Sequence, residues 1–236
     1  MNDLLLSIII PVYNEESTLF DIIERVVAVD IGIKREFILV DDGSTDGTRS
    51  LYPQCRTKWP DETFNVKLQS VNKGKGAAIR AGLALAGGDI IIIQDADLEY
   101  DPADYPRLLQ PILDNKADVV YGSRFLCSNA HRVLGFWHTL GNRVLTGFSN
   151  MFTDLNLTDM ETCYKVFTKE VAESLDLVSN RFTVEPEITA KVANGGWRLY
   201  EVGISYAGRS YGQGKKITWV DGLAALWAVF RFRFFS

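Results

Sequence analysis

The stretch from Gly88 to Asp97 constrains this chain more than any other part of its sequence. Four consecutive isoleucines, Ile90 to Ile93, predict a strand that is buried on both faces of a sheet. Asp95 and Asp97 follow almost at once, and side chains two apart in extended chain project to the same side. Carboxylates gathered at the end of a central strand favour a hard divalent cation such as Mg²⁺ or Mn²⁺. The alternative for an isolated Asp-X-Asp is an acidic turn that caps the next helix.

Strand, polar turn and helix alternate three times before this point. Leu4 to Val12, Phe37 to Val40 and Val66 to Val71 are predicted strands, and each is followed by a polar or glycine-rich turn. This alternation predicts an α/β fold with a mostly parallel sheet and helices on its faces. Ligands of such sheets bind outside the carboxyl ends of the strands, so the turns should meet at one rim. That placement favours the metal interpretation of the two aspartates.

The other predicted elements follow from periodicity and from turn residues. Further strands are expected at Gly88–Gln94, Asp118–Ser123, Cys163–Thr168 and Trp197–Val202, and helices after a Ser17 N-cap and at Thr48–Trp59, Ala77–Ala86, 102–115, 131–152, Lys169–Leu177 and Val184–Asn194. Arg209 to Lys216 is basic and rich in glycine, which predicts a loop.

Length and composition limit the class of protein. A chain of 236 residues with 47% hydrophobic residues predicts one domain, 1–236, with a full core. The net charge of −5 argues against a general nucleic-acid binder. Three cysteines without metal-ligand spacing indicate a reducing compartment. No signal peptide or membrane span is apparent, so we expect a cytoplasmic protein. We also expect it to lie against a membrane, through its C-terminal segment, Leu223 to Phe235.

The motifs at the strand ends, taken together and in order, resemble those of family 2 glycosyltransferases with the GT-A fold. The similarity is to the branch of polyprenyl-phosphate (dolichol-phosphate) mannosyl- and glucosyltransferases. The segments that carry it are Ile10–Glu16, Val40–Asp46, Asn72–Gly76, Asp95–Asp97, Gly122–Arg124, Thr158–Phe167 and 209–217. The resemblance implies a Rossmann-like half that binds the nucleotide sugar, 1–124, and an acceptor-side half, 125–236, with an amphipathic C-terminal segment.

The same resemblance implies roles for individual residues. The nucleotide would lie against the end of the first strand and against Asp41, which would bond the base or ribose. Two carboxylates would bring the metal to the donor's diphosphate, and Glu99 stands where some relatives have a glutamine that supplies a further metal contact. Arg124 and Arg209 would lie near the phosphates, and Lys215 belongs to the same basic loop as Arg209. The residues so assigned are Pro11, Tyr13, Glu15, Asp41, Lys75, Asp95, Asp97, Glu99, Arg124, Arg209 and Lys215.

Three of the assignments have open alternatives. Asp159 is a candidate catalytic residue, as a base or as a group that orients the cations around the acceptor, but it could equally cap a helix. Lys75 could cradle a phosphate at a helix N-terminus, or the glycines beside it could serve only for close packing. Leu223 to Phe235 could lie in a membrane interface or form an ordinary packed or dimer-forming helix.

The predicted reaction is metal-dependent transfer of a hexose from UDP- or GDP-sugar to polyprenyl phosphate, with the inversion that the family resemblance implies. A metal and guanidinium groups would stabilise the charge that grows on the leaving diphosphate. A saccharide or other hydroxyl acceptor is the nearest rival, and a nucleotide-sugar-binding module without turnover is a rival from another class. The sugar, nucleotide, prenyl length and oligomeric state, a homo-oligomer included, stay open.

Overall fold

The computed structural model describes residues 4–126, 132–208 and 219–235. These residues form seven strands and eight α-helices, with two short 3₁₀ helices at Gly47–Ser50 and Pro102–Asp104. The strands are β1 (Leu5–Val12), β2 (Lys34–Asp41), β3 (Thr63–Leu68), β4 (Ile90–Ile93), β5 (Val119–Ser123), β6 (Lys165–Thr168) and β7 (Leu199–Gly203). The helices are α1 (Leu19–Val27), α2 (Tyr52–Lys58), α3 (Lys75–Leu83), α4 (Tyr105–Leu113), α5 (Phe136–Thr153), α6 (Lys169–Ser174), α7 (Val184–Gly195) and α8 (Trp219–Phe234).

All seven strands form one sheet in the order β3-β2-β1-β4-β6-β5-β7. The pairs β1 with β2, β1 with β4, β2 with β3 and β5 with β7 are parallel. Strand β6 runs antiparallel to both β4 and β5. The predicted mixed, mostly parallel sheet is therefore confirmed.

The isoleucine run forms the centre of the core. All four residues of β4 are buried, and Ile92 pairs with Ile8 of β1. Ile92 packs in the larger apolar cluster on one face of the sheet, while Ile91 packs with Ile9 in a smaller cluster on the other. Helix α1 closes the larger cluster with a stripe at helical spacing that begins at Leu19 and ends at Val26.

The reversal of β6 decides what reaches the rim of the sheet. Parallel strands bring their carboxyl ends to one edge, where the turns after β1, β2, β4 and β5 lie. Because β6 is antiparallel, its amino end lies at that edge, so the segment Thr158–Tyr164 before it arrives there too. A short antiparallel bridge between Tyr100 and Tyr206 also joins the chain after β4 to the chain after β7.

Several boundaries differ from those predicted. The third strand is Thr63–Leu68: the Gln69 N–H still donates to the Asp41 carbonyl oxygen, but the chain then bends at Ser70 and Val71, which were predicted to belong to the strand. Ser17 does not cap α1: the N-cap is Thr18, whose hydroxyl bonds the Glu15 carboxylate instead of the helix backbone. The predicted end of α7 is confirmed, since Gly196 takes the left-handed conformation there.

Candidate active site

A cavity of about 740 Å³ opens at this rim of the sheet. Its wall comes from the turns after β1 and β4, the glycine loop before α3, the segment before β6 and the start of α7. Helices α5 and α8 complete it on the acceptor side. Of the predicted site residues, those that line it are Pro11, Tyr13, Glu15, Lys75, Asp95, Asp97, Glu99 and Arg124.

Asp41 does not reach the cavity. It is fully buried, and its carboxylate accepts bonds from the backbone N–H groups of Gly43 and Ser44, from Arg49 (2.7 Å) and from the Tyr52 hydroxyl (2.8 Å). Burial raises its pKa, but these donors outweigh burial and hold the pKa below the ordinary value. Asp41 therefore braces the turn after β2, and this geometry offers the base or ribose no contact with it.

Asp42 takes the place at the wall that Asp41 was expected to have. It lines the cavity, and its two carboxylate oxygens accept from the backbone N–H groups of Lys73 and Gly74, each at 2.8 Å. This pair of bonds fixes the glycine loop to the turn after β2. The loop in turn packs tightly, because a Cβ at Gly74 would lie 2.4 Å from the Asn180 carbonyl oxygen and one at Gly76 would lie 2.4 Å from that of Ser179. The close-packing explanation of these glycines is thus supported.

Hydrogen bonds of the buried Gln94 side chain fix the backbone at the end of β4, where Asp95 lies. Gln94 is fully buried and donates to the Asp95 carbonyl oxygen at 2.9 Å, while the hydroxyls of Tyr105 and Tyr164 donate to its side-chain oxygen at 2.8 Å each. Asp97 lies in the turn that follows, beyond the end of the strand, so both carboxylates line the cavity although the extended-chain argument does not apply.

Glu99 is engaged by a side chain that the sequence did not indicate. The Tyr206 hydroxyl donates to its carboxylate at 2.6 Å, and the backbone N–H of Ala207 donates to its carbonyl oxygen at 2.8 Å. Burial and the adjacent carboxylate both raise the pKa of Tyr206, so the phenol keeps its proton and remains a donor.

Lys75 joins the two halves of the site. Its ammonium lies 2.8 Å from the Asp95 carboxylate and 3.3 Å from that of Glu185. Burial lowers the pKa of Lys75, but the neighbouring groups, Asp95 first and Glu185 among them, together outweigh burial and raise the pKa, so the lysine stays protonated. Glu185 also pairs at 2.6 Å with Lys165, which is fully buried and lies 4.6 Å from the Tyr121 ring centroid. A chain of alternating charges therefore runs from the acidic strand end into the acceptor half.

Arg124 and Asp159 form a buried two-pronged ion pair. Nε and Nη2 of Arg124 lie 2.6 and 2.7 Å from the two carboxylate oxygens, and the Arg124 backbone N–H donates to the same group at 3.0 Å. Asp159 is 0% exposed and lies in a turn before β6, so it is not a helix cap. With both oxygens occupied it is poorly placed to act as a base, whereas it does orient the Arg124 cation at the cavity wall.

Glu161, two residues further on, was not singled out from the sequence. It lines the cavity, and its Oε1 is buried without a hydrogen-bond partner among the described residues. Burial raises its pKa to about 7, helped by the nearby Glu185 and opposed by Lys165 and Arg124. The signal available in the sequence was the polar run before a strand, which becomes informative only once β6 is known to be reversed.

The carboxylates at the end of β4 are candidate ligands for a divalent cation. In the described part of the chain, no three His, Cys, Asp or Glu side chains converge as a metal site. Mg²⁺ is commonly bound through one or two carboxylates together with substrate phosphates and water, so Asp95 and Asp97 on one wall fit such an ion once a diphosphate is present. The residues present are therefore compatible with the predicted metal.

Two predicted site residues, Arg209 and Lys215, lie outside the described residues, as do the loop around them, Cys127 and His131. His138 lies on α5 and lines the cavity. Arg181 and Phe182 also line the cavity and, like Asp42, Glu161 and Tyr206, were not assigned to the site from the sequence. Trp137 lies in the aromatic helical stretch for which contact with a lipid acceptor is expected, and it lines the cavity together with Glu185.

A family model described as "Glycosyl transferase family 2" matches residues 7–176, which include every strand end on the donor side. The chain belongs to this family. Among curated proteins it is 30% identical over 211 residues to the undecaprenyl-phosphate 4-deoxy-4-formamido-L-arabinose transferase of Pectobacterium carotovorum, and 29% identical over 213 residues to that of Aeromonas hydrophila. Both alignments cover 89% of this chain and 62% of the relative, so the chain spans less than two thirds of these proteins.

Solved structures show the same fold at lower identity. Glucosyl-3-phosphoglycerate synthase from Mycobacterium tuberculosis, in complex with Mn²⁺, UDP and phosphoglyceric acid, superposes with a TM-score of 0.71 at 20% identity, covering 97% of this chain and 77% of that one. The same enzyme with Mg²⁺ and UDP gives a TM-score of 0.69 at 21% identity, covering 97% and 78%. This likeness, with the mixed sheet order, confirms the GT-A fold for this family member.

Proposed function

We propose that this protein transfers a hexose from a nucleoside-diphosphate sugar, UDP- or GDP-linked, to a polyprenyl phosphate, with inversion at the anomeric carbon. The observation that carries the proposal is that Asp95, Asp97 and Arg124 line one cavity, the two aspartates after β4 and the arginine after β5, where the nucleotide-binding half meets the acceptor-side half. The relatives are named as transferases of 4-deoxy-4-formamido-L-arabinose and undecaprenyl phosphate, which supports a polyprenyl-phosphate acceptor. The solved neighbours contain UDP with Mn²⁺ or Mg²⁺, which supports a nucleotide-linked donor and a divalent cation.

On the donor side, Pro11, Tyr13 and Glu15 would contact the nucleotide, and we assign to Asp42 the wall position first given to Asp41. Asp95 and Asp97 would hold Mg²⁺ or Mn²⁺ at the diphosphate, with Glu99 next to them in the orientation that Tyr206 imposes. When bound, this cation neutralises negative charge on the departing diphosphate.

On the acceptor side, Arg124 would supply a fixed guanidinium to a phosphate. The Arg124 guanidinium already forms hydrogen bonds with Asp159 and Asn142, so its side chain needs little reorganisation when a phosphate binds. Lys75 would stabilise charge between the halves, and Arg209 and Lys215, in the part of the sequence before α8, are proposed to add cations.

Membrane contact is proposed from exposed aromatic side chains beside the cavity. None of the described helices is both long and apolar enough to cross a bilayer. Trp137 lines the cavity and yet is 79% exposed, and its neighbour Phe136 is 69% exposed. Helix α8 buries Val229 and Phe232 against the body of the protein but leaves Trp227 63% exposed. We propose that this surface lies in the interface of the cytoplasmic membrane, where a lipid phosphate could enter the cavity.

Liposome flotation tests the membrane proposal. The double substitution Phe136→Ser with Trp137→Ser should lower binding to vesicles that contain anionic lipid at least tenfold, while Leu85→Ser, an exposed apolar residue at the end of α3, should leave it unchanged. Equal binding by both variants would rule out this surface as the membrane contact.

Turnover is tested with Mg²⁺ or Mn²⁺, a panel of labelled nucleotide sugars and polyprenyl phosphate, followed by extraction into organic solvent. Label should enter the organic phase with one donor, and Asp97→Ala should reduce it at least 100-fold, whereas the exposed Asp61→Ala should not. Full activity of Asp97→Ala would refute the assigned metal role.

A second candidate function is transfer to a hydroxyl acceptor. Such an acceptor needs a positioned base, and Glu161 is a carboxyl in the cavity whose ionisation lies near neutrality. The same assay with saccharide acceptors, and no lipid phosphate, decides between the two: product in the aqueous phase only would favour this candidate.

A further inference from the structure

Most carboxylates around the cavity are already committed to a partner. Asp159 has both oxygens in the pair with Arg124, and Glu185 lies between Lys165 and Lys75. Asp42 holds two backbone N–H groups, and Glu99 accepts from Tyr206. Each of these groups already forms a hydrogen bond or an ion pair, although Glu185 Oε1, 3.3 Å from the Lys75 ammonium, is itself buried without a hydrogen bond to the residues that the structure describes.

Glu161 differs from these carboxylates in where it enters the cavity and in its hydrogen bonding. It reaches the cavity from the segment before β6, next to Arg124, and its Oε1 is buried with no hydrogen-bond partner among the described residues. A buried carboxyl oxygen without a partner costs about 1–3 kcal/mol, so its place on the wall needs a reason in the bound state. A ligand that donates a proton or a hydrogen bond would supply the missing partner.

The charges around Glu161 come from each element packed near it. Lys165 on β6 and Arg124 after β5 favour its ionised form, while Glu185 on α7 and Asp159 in its own segment oppose it. His138 of α5 and Lys75 of α3 line the same cavity. Burial outweighs the cations and raises the pKa of Glu161 to about 7.

We propose that Glu161 is the catalytic residue that accepts the proton of the acceptor's attacking oxygen. The inference rests on the proposed transfer. As that oxygen bonds to the anomeric carbon, its proton passes to the Glu161 carboxylate, which becomes a neutral carboxyl. The bond from the anomeric carbon to the diphosphate breaks, and its electron pair leaves with the diphosphate. The proton is later released to water.

The chemistry is shared by both acceptor classes. A phosphate monoester loses its second proton near pH 6, so Glu161 can take a proton only from the monoanion, the minor form at neutral pH. A hydroxyl gives up its proton only as the new bond forms, and a base with a pKa near the working pH contributes about 10²–10⁴-fold to such a step. The effect of removing Glu161 should therefore be larger for a hydroxyl acceptor.

The test compares kcat and KM from pH 5.5 to 9 for the wild type, Glu161→Gln, Glu161→Asp and, as a control, Glu173→Gln on the exposed side of α6. With the saccharide acceptor we expect Glu161→Gln to lower kcat about 100-fold with donor KM unchanged and to abolish an acidic limb near pH 7. With polyprenyl phosphate, which itself titrates near pH 6, we expect a smaller loss of kcat. Glu161→Asp should keep the limb and part of the rate. Parallel arms with polyprenyl phosphate and with a saccharide identify the acceptor class.

The outcomes separate this inference from the proposed function. Wild-type turnover with an unchanged rate and pH profile in Glu161→Gln would overturn the role of Glu161 and leave the transfer standing. No wild-type turnover with any donor and acceptor would overturn the proposed function. The ionisation of Glu161 is then checked without turnover, by ¹³C NMR of glutamate carboxyl carbons: a midpoint near pH 7 that is missing in Glu161→Gln supports the poised carboxyl, and a midpoint below pH 5 contradicts it.

Discussion

The turn after β2 and the segment before β6 both bring buried carboxylates to the rim, but they neutralise them differently. Asp41 and Asp42 are held mainly by backbone N–H groups, with Arg49 added from the partly exposed side. Asp159 and Glu185 are held by cations that are themselves buried, Arg124 and Lys165. The turn after β2 is thus fixed largely by neutral backbone donors, and the segment before β6 by pairs of buried charge.

The difference has a consequence for stability. Replacing Asp42 leaves neutral backbone N–H groups behind, and replacing Asp41 leaves in addition the Arg49 guanidinium, whose side chain is 39% exposed and can be hydrated. Replacing a partner in a pair of buried charges leaves an uncompensated buried charge. We therefore expect the acceptor side to be the more sensitive to substitution and to pH, and the following predictions test that ranking.

The largest effect is expected from Arg124→Ala. It would leave the Asp159 carboxylate, 0% exposed, without its cation, which should lower the free energy of unfolding by about 3–5 kcal/mol. Urea unfolding at pH 7 measures this, with the exposed Arg25→Ala of α1 as a control that should stay within about 0.5 kcal/mol of wild type. A loss below 1 kcal/mol in Arg124→Ala would contradict the ranking.

A smaller loss is expected from Gly74→Ala, where the donor-side loop meets the segment before α7. Gly74 has φ +100°, and a Cβ there would lie 2.4 Å from the Asn180 carbonyl oxygen. The strained backbone and the contact should together cost about 2–3 kcal/mol, measured by the same unfolding experiment. Because the loop bonds Asp42, nucleotide affinity measured by calorimetry should fall in parallel; unchanged stability and affinity would show that the loop is not fixed as described.

Asp41→Asn should cost less, about 1.5–2 kcal/mol at pH 7, because its backbone donors can still bond an amide oxygen. The pKa of Asp41 is lowered from 3.8, so its contribution is full above the unfolded-state pKa and is lost as the pH falls through the lower folded-state value. The difference between variant and wild type should therefore shrink below pH 4 in urea unfolding series. A difference that stays constant down to pH 2 would argue against an ionised Asp41.

The same contrast explains how much the sequence could predict. The turn after β2 is encoded by adjacent residues, so its position at the rim followed from the pattern of strand, turn and helix. Which of Asp41 and Asp42 faces the cavity did not follow, because that depends on Arg49 and Tyr52 reaching one and not the other. The Glu161 carboxyl was missed because only the reversal of β6 brings its segment to the rim.

Pairs of buried charge were the hardest feature to foresee. Arg124 and Asp159 lie 35 positions apart, and Lys165 and Glu185 lie 20 apart, so no local motif joins them. The role of Asp159 stayed divided between base, cation partner and helix cap for this reason. Its pairing with Arg124 emerges only when β5 and the segment before β6 are placed side by side.

The smallest expected effect is a gain, from Gly147→Ala in α5. Unlike Gly74, this glycine is helical and a Cβ there would meet nothing within 4 Å. Replacing it removes backbone freedom from the unfolded chain at no steric cost, which should stabilise the protein by about 0.5–1 kcal/mol. Matched urea series measure the free energy of unfolding of both glycine variants. A gain in stability at Gly147 beside a loss at Gly74 would show that the acceptor side is sensitive through its buried charges and not through general tightness of packing. A loss at both positions would mean that α5 is constrained in a way that the contacts of Gly147 do not explain.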